Sequence, residues 1–124
     1  MPDDRKAIGT RAEQHVRSWL EAKGYRHLYS NWRMGHGELD LVMEEGDELV
    51  FVEVKARRSD WAGYPEEGVS KKQASTLLRT GELYTQVMPG ADGRIWRIDL
   101  VGVSLTPDGE IDEIRHYINA IVIG

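Results

Sequence analysis

LVFVEVKARR, residues 49–58, has the composition of a buried β-strand that is interrupted by charge. Its apolar residues are aromatic, β-branched or leucine, which is typical of strands. Glu53 and Lys55 lie two residues apart, so in a strand both side chains point to the same face. Charged side chains are rarely buried unless they are paired or hold a metal ion. The stretch therefore predicts either an ion-pair network or a metal site on one face of a sheet.

The preceding residues, GELDLVM at 37–43, predict a second strand that is joined to the first through the polar turn EEGDE. With Gly46 and Asp47 at the centre of a tight hairpin turn, Asp40 lies opposite Glu53 and Glu38 lies opposite Lys55. The remaining predicted pairs are Val42 with Phe51, Leu41 with Val52 and Leu39 with Val54. One face then carries only apolar residues: Leu39, Leu41, Met43, Val50, Val52 and Val54. A slip of one residue would move charges into this face, so the pattern favours the register.

This register brings the carboxylates of Asp40 and Glu53 together, with Cβ atoms ~4.5–5.5 Å apart. Like charges in opposed positions destabilise a sheet, so something must compensate them. Lys55 can do so in part, and a divalent cation bound by both carboxylates would do so more fully. The alternative is a salt-bridge ladder on a solvent-facing sheet, with Glu38 paired to Lys55 and Glu53 to a nearby arginine. The residues alone leave both interpretations open.

The rest of the chain predicts a mixed α/β domain. A helix with an apolar stripe runs from about Asp4 to Lys23, and YRHLYSNWR follows as an aromatic-rich strand. Ser70 and Gln73 form a capping-box pattern, which opens a second helix after a loop at 59–69. Its predicted inward residues are Ala74, Leu77, Leu78, Tyr84 and Val87. IWRIDLVGVSL is a further strand, and HYINAIVI a short last element. The order of helix, three strands, helix and strand predicts one domain, over residues 1–124, with a sheet covered by helices.

Composition limits the function without deciding it. The chain has 124 residues, no cysteine and no apolar N-terminal stretch, so we expect a cytoplasmic protein without disulfides or thiolate metal sites. The net charge of −5 argues against a generic nucleic-acid binder. Eight acids fall in two predicted turns: Glu44, Glu45, Asp47, Glu48, Asp108, Glu110, Asp112 and Glu113. The 16 Lys and Arg residues outnumber the other thirteen acids, so the composition is compatible with a local basic surface.

Several motifs resemble, in the same order, those of the bacterial YraN family. They are Gly9 with Glu13 in the first helix, then NWR, GELDLV, LVFVEVKAR, GYPEEGV with KKQ, and RIDLVGV, and they span residues 7 to 120. The resemblance implies the PD-(D/E)xK fold of the restriction-endonuclease-like superfamily, an α/β fold with an αβββαβ core. It also implies a metal-dependent endonuclease that acts on DNA, in a structure-selective, resolvase-like manner. The alternatives are a non-catalytic nucleic-acid-binding module and a small structural or adaptor protein.

The resemblance assigns roles to individual residues. Asp40 and Glu53 match the acids that bind Mg²⁺ or Mn²⁺, and Lys55 matches the lysine that orients the attacking water or stabilises charge on the phosphate. Glu13 matches a helix-borne acid of the resolvase-like branches. The alternative for Glu13 is an ordinary boundary glutamate paired with Arg17. Gly81 departs from the resemblance, because the second helix of the family usually has alanine there.

Candidate contacts to nucleic acid follow the acid cluster: Arg57, Arg58, Lys71, Lys72 and Gln73. Basic groups beside a helix N-terminus could hold phosphates, or they could form an ordinary solvated face. Trp61 and Tyr64 lie in the loop and either stack on bases or anchor the loop. The four histidines show no ligand spacing, so we expect them at the surface or at its boundary. Cleavage of both strands of a duplex would require two sites and hence a homodimer.

Overall fold

The computed structural model describes residues 5–60 and 63–122, and within them two α-helices accompany a five-stranded sheet. The elements are α1 (Arg5–Ala22), β1 (Arg26–Met34), β2 (Gly37–Glu45), β3 (Glu48–Arg58), a 3-10 helix (Pro65–Gly68), α2 (Lys71–Val87), β4 (Trp96–Leu105) and β5 (Ile111–Ile121). This is the predicted α/β fold, compatible with a restriction-endonuclease-like core. In the described part of the chain, neither α-helix is long and apolar enough to cross a membrane.

The sheet is mixed and has the strand order β1-β2-β3-β4-β5. β3 and β4 are parallel, and the other neighbouring pairs are antiparallel. A parallel pair needs a crossover connection, and α2 lies in the segment between β3 and β4. β3 is the central strand and is covered on both faces, which explains why its first half is an almost unbroken apolar run.

Each helix packs on its own face of the sheet. The α1 face contains Ile8, Ala12, Val16 and Leu20 against Leu41, Met43, Val50, Val52 and Val54. The α2 face contains Leu77 and Tyr84 of the helix against Trp32, Val42, Phe51 and Ile98. The predicted capping box at the start of α2 is confirmed: Gln73 N–H donates to Ser70 Oγ, and Ser70 N–H donates to Gln73 Oε1. The prediction that Val87 points inward is wrong, since this last residue of α2 is 47% exposed.

The predicted hairpin register is confirmed from the turn to Leu41, which lies opposite Val52. Gly46 has φ +59°, a left-handed conformation that suits glycine at a tight turn. The paired register ends at Leu41, so the pairs predicted beyond it do not form ladder pairs. Leu39 was predicted on the same apolar face as Leu41 and Val52, which pack against α1, but it packs in the α2 core with Trp32. The alternation of faces is therefore interrupted around Asp40.

The C-terminal part differs most from the sequence-based expectation. In place of a short last element, β5 is an eleven-residue strand that pairs with β4 along its length. Asp112 and Glu113, which were predicted in a turn, lie in this strand. Charged residues are uncommon in strands, but β5 is an edge strand, where charge is tolerated on exposed positions.

The presence of glycine at position 81, in place of alanine, has a structural explanation in this chain. A Cβ atom at this position would lie 2.9 Å from ring atoms of Phe51 and Trp96, closer than side-chain carbons approach. Phe51 is buried, so its ring has no free space to move into. Glycine therefore lets α2 pack closely on two aromatic rings, and the helix propensity that it loses is offset by that packing.

Candidate metal and nucleic-acid site

The interruption of the hairpin places Asp40 where two acids meet. Asp40 is 8% exposed, and its Oδ2 accepts a hydrogen bond of 2.9 Å from the backbone N–H of Val54. That N–H is thereby bonded to a side chain of β2, beyond the point where the backbone pairing ends. The Asp40 carboxyl also forms a hydrogen bond with the side chain of Glu53. The structure thus brings together the two carboxyl groups that the register predicted to be neighbours.

The environment of Asp40 favours its neutral form. Burial, followed by the charge of Glu53 and the hydrogen bond to it, raises the pKa of Asp40 to about 9. The Val54 N–H lowers this pKa and Glu13 raises it further, but burial has the largest effect. At neutral pH Asp40 is therefore protonated. A buried carboxyl group whose described hydrogen bonds reach a second carboxyl group and a backbone N–H, and no cationic side chain, is a candidate for cation binding.

Neither ion pair of the salt-bridge alternative is found in the described part of the chain. Lys55 Nζ lies 3.2 Å from Glu53 Oε2, so the lysine pairs with its own strand and not with Glu38. Glu38 pairs with Arg33 of β1 instead. Lys55 is consequently positioned beside the carboxyl pair, as predicted, with its side chain about a quarter exposed.

Glu13 approaches the pair from α1. Its Oε1 accepts a hydrogen bond of 3.0 Å from Asn31 Nδ2, while Arg17 pairs with Glu21 at 3.5 Å. Burial raises the pKa of Glu13, the hydrogen bond from Asn31 lowers it, and the charges of Glu38 and Glu53 raise it. Glu13 is therefore electrostatically coupled to the acid pair.

The first residues of α2 face the same region. Lys72 and Gln73 line a cavity of about 220 Å³ together with Glu38, Glu53 and Thr76. Lys71 is exposed next to them. The side-chain oxygen of Gln73 is used in the capping box, so its predicted role as a nucleic-acid contact competes with a local structural role.

The structure divides the predicted basic patch. Arg57 lies two residues after Lys55 in β3 and so on the same face as Glu53. Arg58 points to the α1 face, where it lines a cavity with Arg11 and Leu105 and its Nη2 lies 2.8 Å from Asp60. The grouping of Arg58 with Lys71 and Lys72 on one surface is therefore wrong, because adjacent strand residues point to opposite faces.

The loop before α2 is anchored by a residue that the sequence did not single out. Glu66 is 7% exposed and accepts hydrogen bonds from Arg115 and Tyr117 of β5. A Cβ on Gly102 would lie 2.1 Å from Glu66 Oε1, so the glycine provides room for this carboxylate. A glycine inside the apolar strand LVGVSL was the available signal of a close approach.

Of the two aromatic residues predicted to stack on bases or to anchor that loop, the structure describes Tyr64. Tyr64 is 52% exposed, and its ring lies under the guanidinium of Arg115 at 4.4 Å. This contact is consistent with anchoring and leaves one side of the ring accessible. Trp61 lies outside the described residues.

His116 lies at the boundary, within the expected range, but it takes part in a buried network. Its Nε2 lies 2.8 Å from Oδ2 of Asp99, a fully buried carboxylate that also contacts Arg97. The ring of His116 makes T-shaped contacts with the rings of Trp19 and Tyr25. This network lies on the α1 face, and its residues are far apart in sequence, so no local pattern indicated it.

The donor set suits a hard divalent cation. Within residues 5–60 and 63–122, no three His, Asp or Glu side chains converge into a preformed metal cage. Mg²⁺, however, commonly takes one or two protein carboxylates and keeps several waters. Asp40 and Glu53 would supply two such carboxylates, and Glu13 could contribute directly or through water. The residues present therefore fit Mg²⁺ or Mn²⁺ better than zinc, which prefers nitrogen and sulfur ligands.

Comparison with known proteins agrees with the motifs. Residues 12–103 match the model of the family described as "Uncharacterised protein family UPF0102". A UPF0102 protein of Pelotomaculum thermopropionicum is 36% identical over 97% of this chain and 99% of its own length. A UPF0102 protein of Syntrophomonas wolfei is 39% identical, over 93% of this chain and 97% of its own length. The chain therefore belongs to the UPF0102 family, the YraN family that its motifs resemble.

Proposed function

We propose that this protein is a metal-dependent endonuclease that hydrolyses phosphodiester bonds of DNA in the cytoplasm. The observation that supports it most is the buried Asp40 carboxyl, whose hydrogen bonds among the described residues go to a second carboxyl group and a backbone N–H and to no cationic side chain. A divalent cation would replace the proton of Asp40 and neutralise both carboxylates. Buried ion pairs of purely structural use, in contrast, carry their own cation.

Each residue of the site has a chemical task in this proposal. Asp40 and Glu53 would hold Mg²⁺ or Mn²⁺, and the cation would supply a bound water of lowered pKa and neutralise charge on the phosphate. Lys55, kept in place by Glu53, donates a hydrogen bond to the attacking water or to the phosphate oxygen on which charge develops. Glu13 supports the cation from α1. The reaction is a hydrolysis without a covalent enzyme intermediate.

The start of α2 would hold the substrate. Lys71 and Lys72 are exposed beside the acid pair, and the free N–H groups at the start of a helix favour phosphate. A chain of 124 residues offers little surface for reading bases, so we propose selection by DNA structure, with weak sequence preference. Cleavage of both strands of a duplex would require two sites, which a homodimer would supply.

The proposal is tested by incubating the purified protein with linear, flapped and branched DNA in millimolar Mn²⁺. We expect cleavage of at least one substrate, and we expect excess EDTA to stop it. Binding of Mn²⁺ alone, measured by calorimetry, separates the metal site from the choice of substrate. Absence of Mn²⁺ binding at millimolar concentration, together with absence of cleavage, would contradict the proposal.

A second candidate function is a non-catalytic nucleic-acid-binding module with the nuclease fold. One observation favours it: the lack of a preformed three-ligand cage among the described residues. Such a module would bind DNA equally well with and without Mn²⁺ and would leave it intact. The same assay, read as binding in EDTA, distinguishes the two functions.

Affinity for DNA is expected to depend on Lys71 and Lys72. Replacing both by alanine should weaken binding to all sequences alike and reduce the slope of log affinity against log salt by about 2, since each phosphate contact contributes about 0.9. Fluorescence anisotropy over a salt series measures both effects. The matched control replaces Lys6 and Lys23 of the α1 region by alanine, which removes the same charge elsewhere. An equal loss in both variants would point to net charge and not to a binding surface.

A further inference from the structure

Asn31 occupies an unusual position in the middle of β1. Its φ is +53°, a left-handed conformation that residues other than glycine seldom adopt. Ser30 lies opposite Leu41 and Trp32 lies opposite Leu39, so this register places Asn31 opposite Asp40. The irregular residue of β1 thus adjoins the candidate metal ligand of β2.

The side chain of Asn31 links this irregularity to α1. Its Nδ2 donates a hydrogen bond of 3.0 Å to Oε1 of Glu13. Glu13 and Arg17 are one helical turn apart and would ordinarily pair along the helix surface. Arg17 pairs instead with Glu21, although both Arg17 and Glu13 line the same cavity of about 170 Å³. The carboxylate of Glu13 therefore has space to move, and the described bond from Asn31 restrains it.

Two demands meet at this position. Left-handed backbone is accepted at low cost by glycine, asparagine and aspartate. A donor to a carboxylate requires an N–H, which glycine lacks in its side chain and ionised aspartate cannot provide. Asparagine is the one residue of the three that satisfies both demands.

We infer that Asn31 is a positioning residue, which holds the Glu13 carboxylate towards Asp40 and Glu53 and away from Arg17. The inference rests on the proposed metal site. It identifies the residue that orients Glu13, the third acid of that site. Supporting partners of metal ligands contribute by fixing the orientation of the ligand. Asn31 would act through Glu13 alone, without contact to the substrate.

The test variant is Asn31→Gly, which keeps the left-handed backbone and removes the donor. We expect stability to urea to be unchanged or increased, while Mn²⁺ affinity measured by calorimetry falls by about tenfold, the lower end of the effect of such partners. The matched control is Asn119→Gly in β5, at the other left-handed asparagine, also with φ +53°. Asn119→Gly should leave Mn²⁺ affinity unchanged. Unchanged affinity in Asn31→Gly would overturn the inference.

A double-mutant cycle shows whether Asn31 acts through Glu13. In the Glu13→Ala background, Asn31→Gly should cause no further loss of Mn²⁺ affinity. An equal loss in both backgrounds would mean a general structural role and would overturn the inference. The metal-free protein supplies an independent readout: the NMR signals of the Asn31 side-chain amide should shift in Glu13→Ala. If the wild type binds no Mn²⁺, the proposed function fails, and a missing amide shift would separately refute the contact with Glu13.

Discussion

Asp40→Asn is expected to abolish stabilisation by metal and to reduce any DNA cleavage more than about 100-fold, because even supporting partners of metal ligands cost about 10- to 100-fold. The metal-free variant should nevertheless be more stable than the wild type at pH 7, because asparagine is neutral in the unfolded chain too and no proton has to be taken up on folding. An asparagine oxygen can accept from the Val54 N–H, and its NH₂ can donate to Glu53, which reproduces the protonated aspartate. Wild-type protein should gain about 2.7 kcal/mol at a Mn²⁺ concentration of about 100 Kd. Urea denaturation with and without Mn²⁺ measures both effects.

The same carboxyl group makes the metal-free stability depend on pH. The pKa of Asp40 is raised in the folded state from 3.8 to about 9, mainly by burial, so the folded protein keeps a proton that the unfolded chain loses. The contribution of this proton to the free energy of unfolding is fully present below pH 3.8. It falls as the pH rises towards 9, by up to about 1.4 kcal/mol per pH unit. Asp40→Asn should remove this dependence. Mn²⁺ affinity should rise over the same range, because binding displaces the proton.

A control separates this effect from a general response to lost charge. Asp47→Asn makes the same chemical change in the turn of the same hairpin, where the residue is exposed. Asp47→Asn should keep both the Mn²⁺ effect and the pH dependence of the wild type. The salt-bridge interpretation makes the opposite prediction for Asp40: Asp40→Asn would destabilise the protein at pH 7, and Mn²⁺ would stabilise neither protein.

Local patterns were sufficient to predict the elements that depend on neighbouring residues. The spacing of Ile8, Ala12, Val16 and Leu20 predicted α1, because a helical stripe has a fixed period. The hairpin register followed from alternation and from the turn at Gly46. The capping box located the start of α2 to the residue. These predictions rest on interactions within a few residues or across one turn.

The features that the sequence did not predict depend on contacts between distant segments. The end of the β2–β3 pairing follows from the insertion of the Asp40 carboxyl at the Val54 N–H, which no periodicity encodes. The left-handed Asn31 within an otherwise regular strand is equally invisible to propensity. The site was therefore predictable in its residues, since Asp40 and Glu53 share one hairpin. Glu13 of α1 was also assigned to the site through the resemblance, whereas its hydrogen bond from Asn31 of β1 was not predicted.

Among the described residues, two aspartates are buried and have opposite electrostatics, and the difference bears on function. Burial alone would raise the pKa of Asp99, but hydrogen bonds from His116, Arg97 and the Asn119 N–H lower it below its usual value. Asp99 thus has its own cationic partner, whereas Asp40 adjoins another acid. The arrangement of Asp99 is expected of a carboxylate that stabilises the fold. The arrangement of Asp40 is expected of a carboxylate that binds a cation.

Asp99→Asn is accordingly expected to lower the free energy of unfolding by about 3 kcal/mol at pH 7, the lower end for a broken buried ion pair. The lower end applies because Arg97 retains Glu45 and Glu48 as partners. The depressed pKa means that the wild type loses this contribution as the pH falls below 3.8, so the two proteins should converge in acid. Urea denaturation between pH 2 and pH 7 measures the difference, with exposed Asp60→Asn as the control that should change little. A pH-independent difference would show that the loss comes from packing and not from the charge of Asp99.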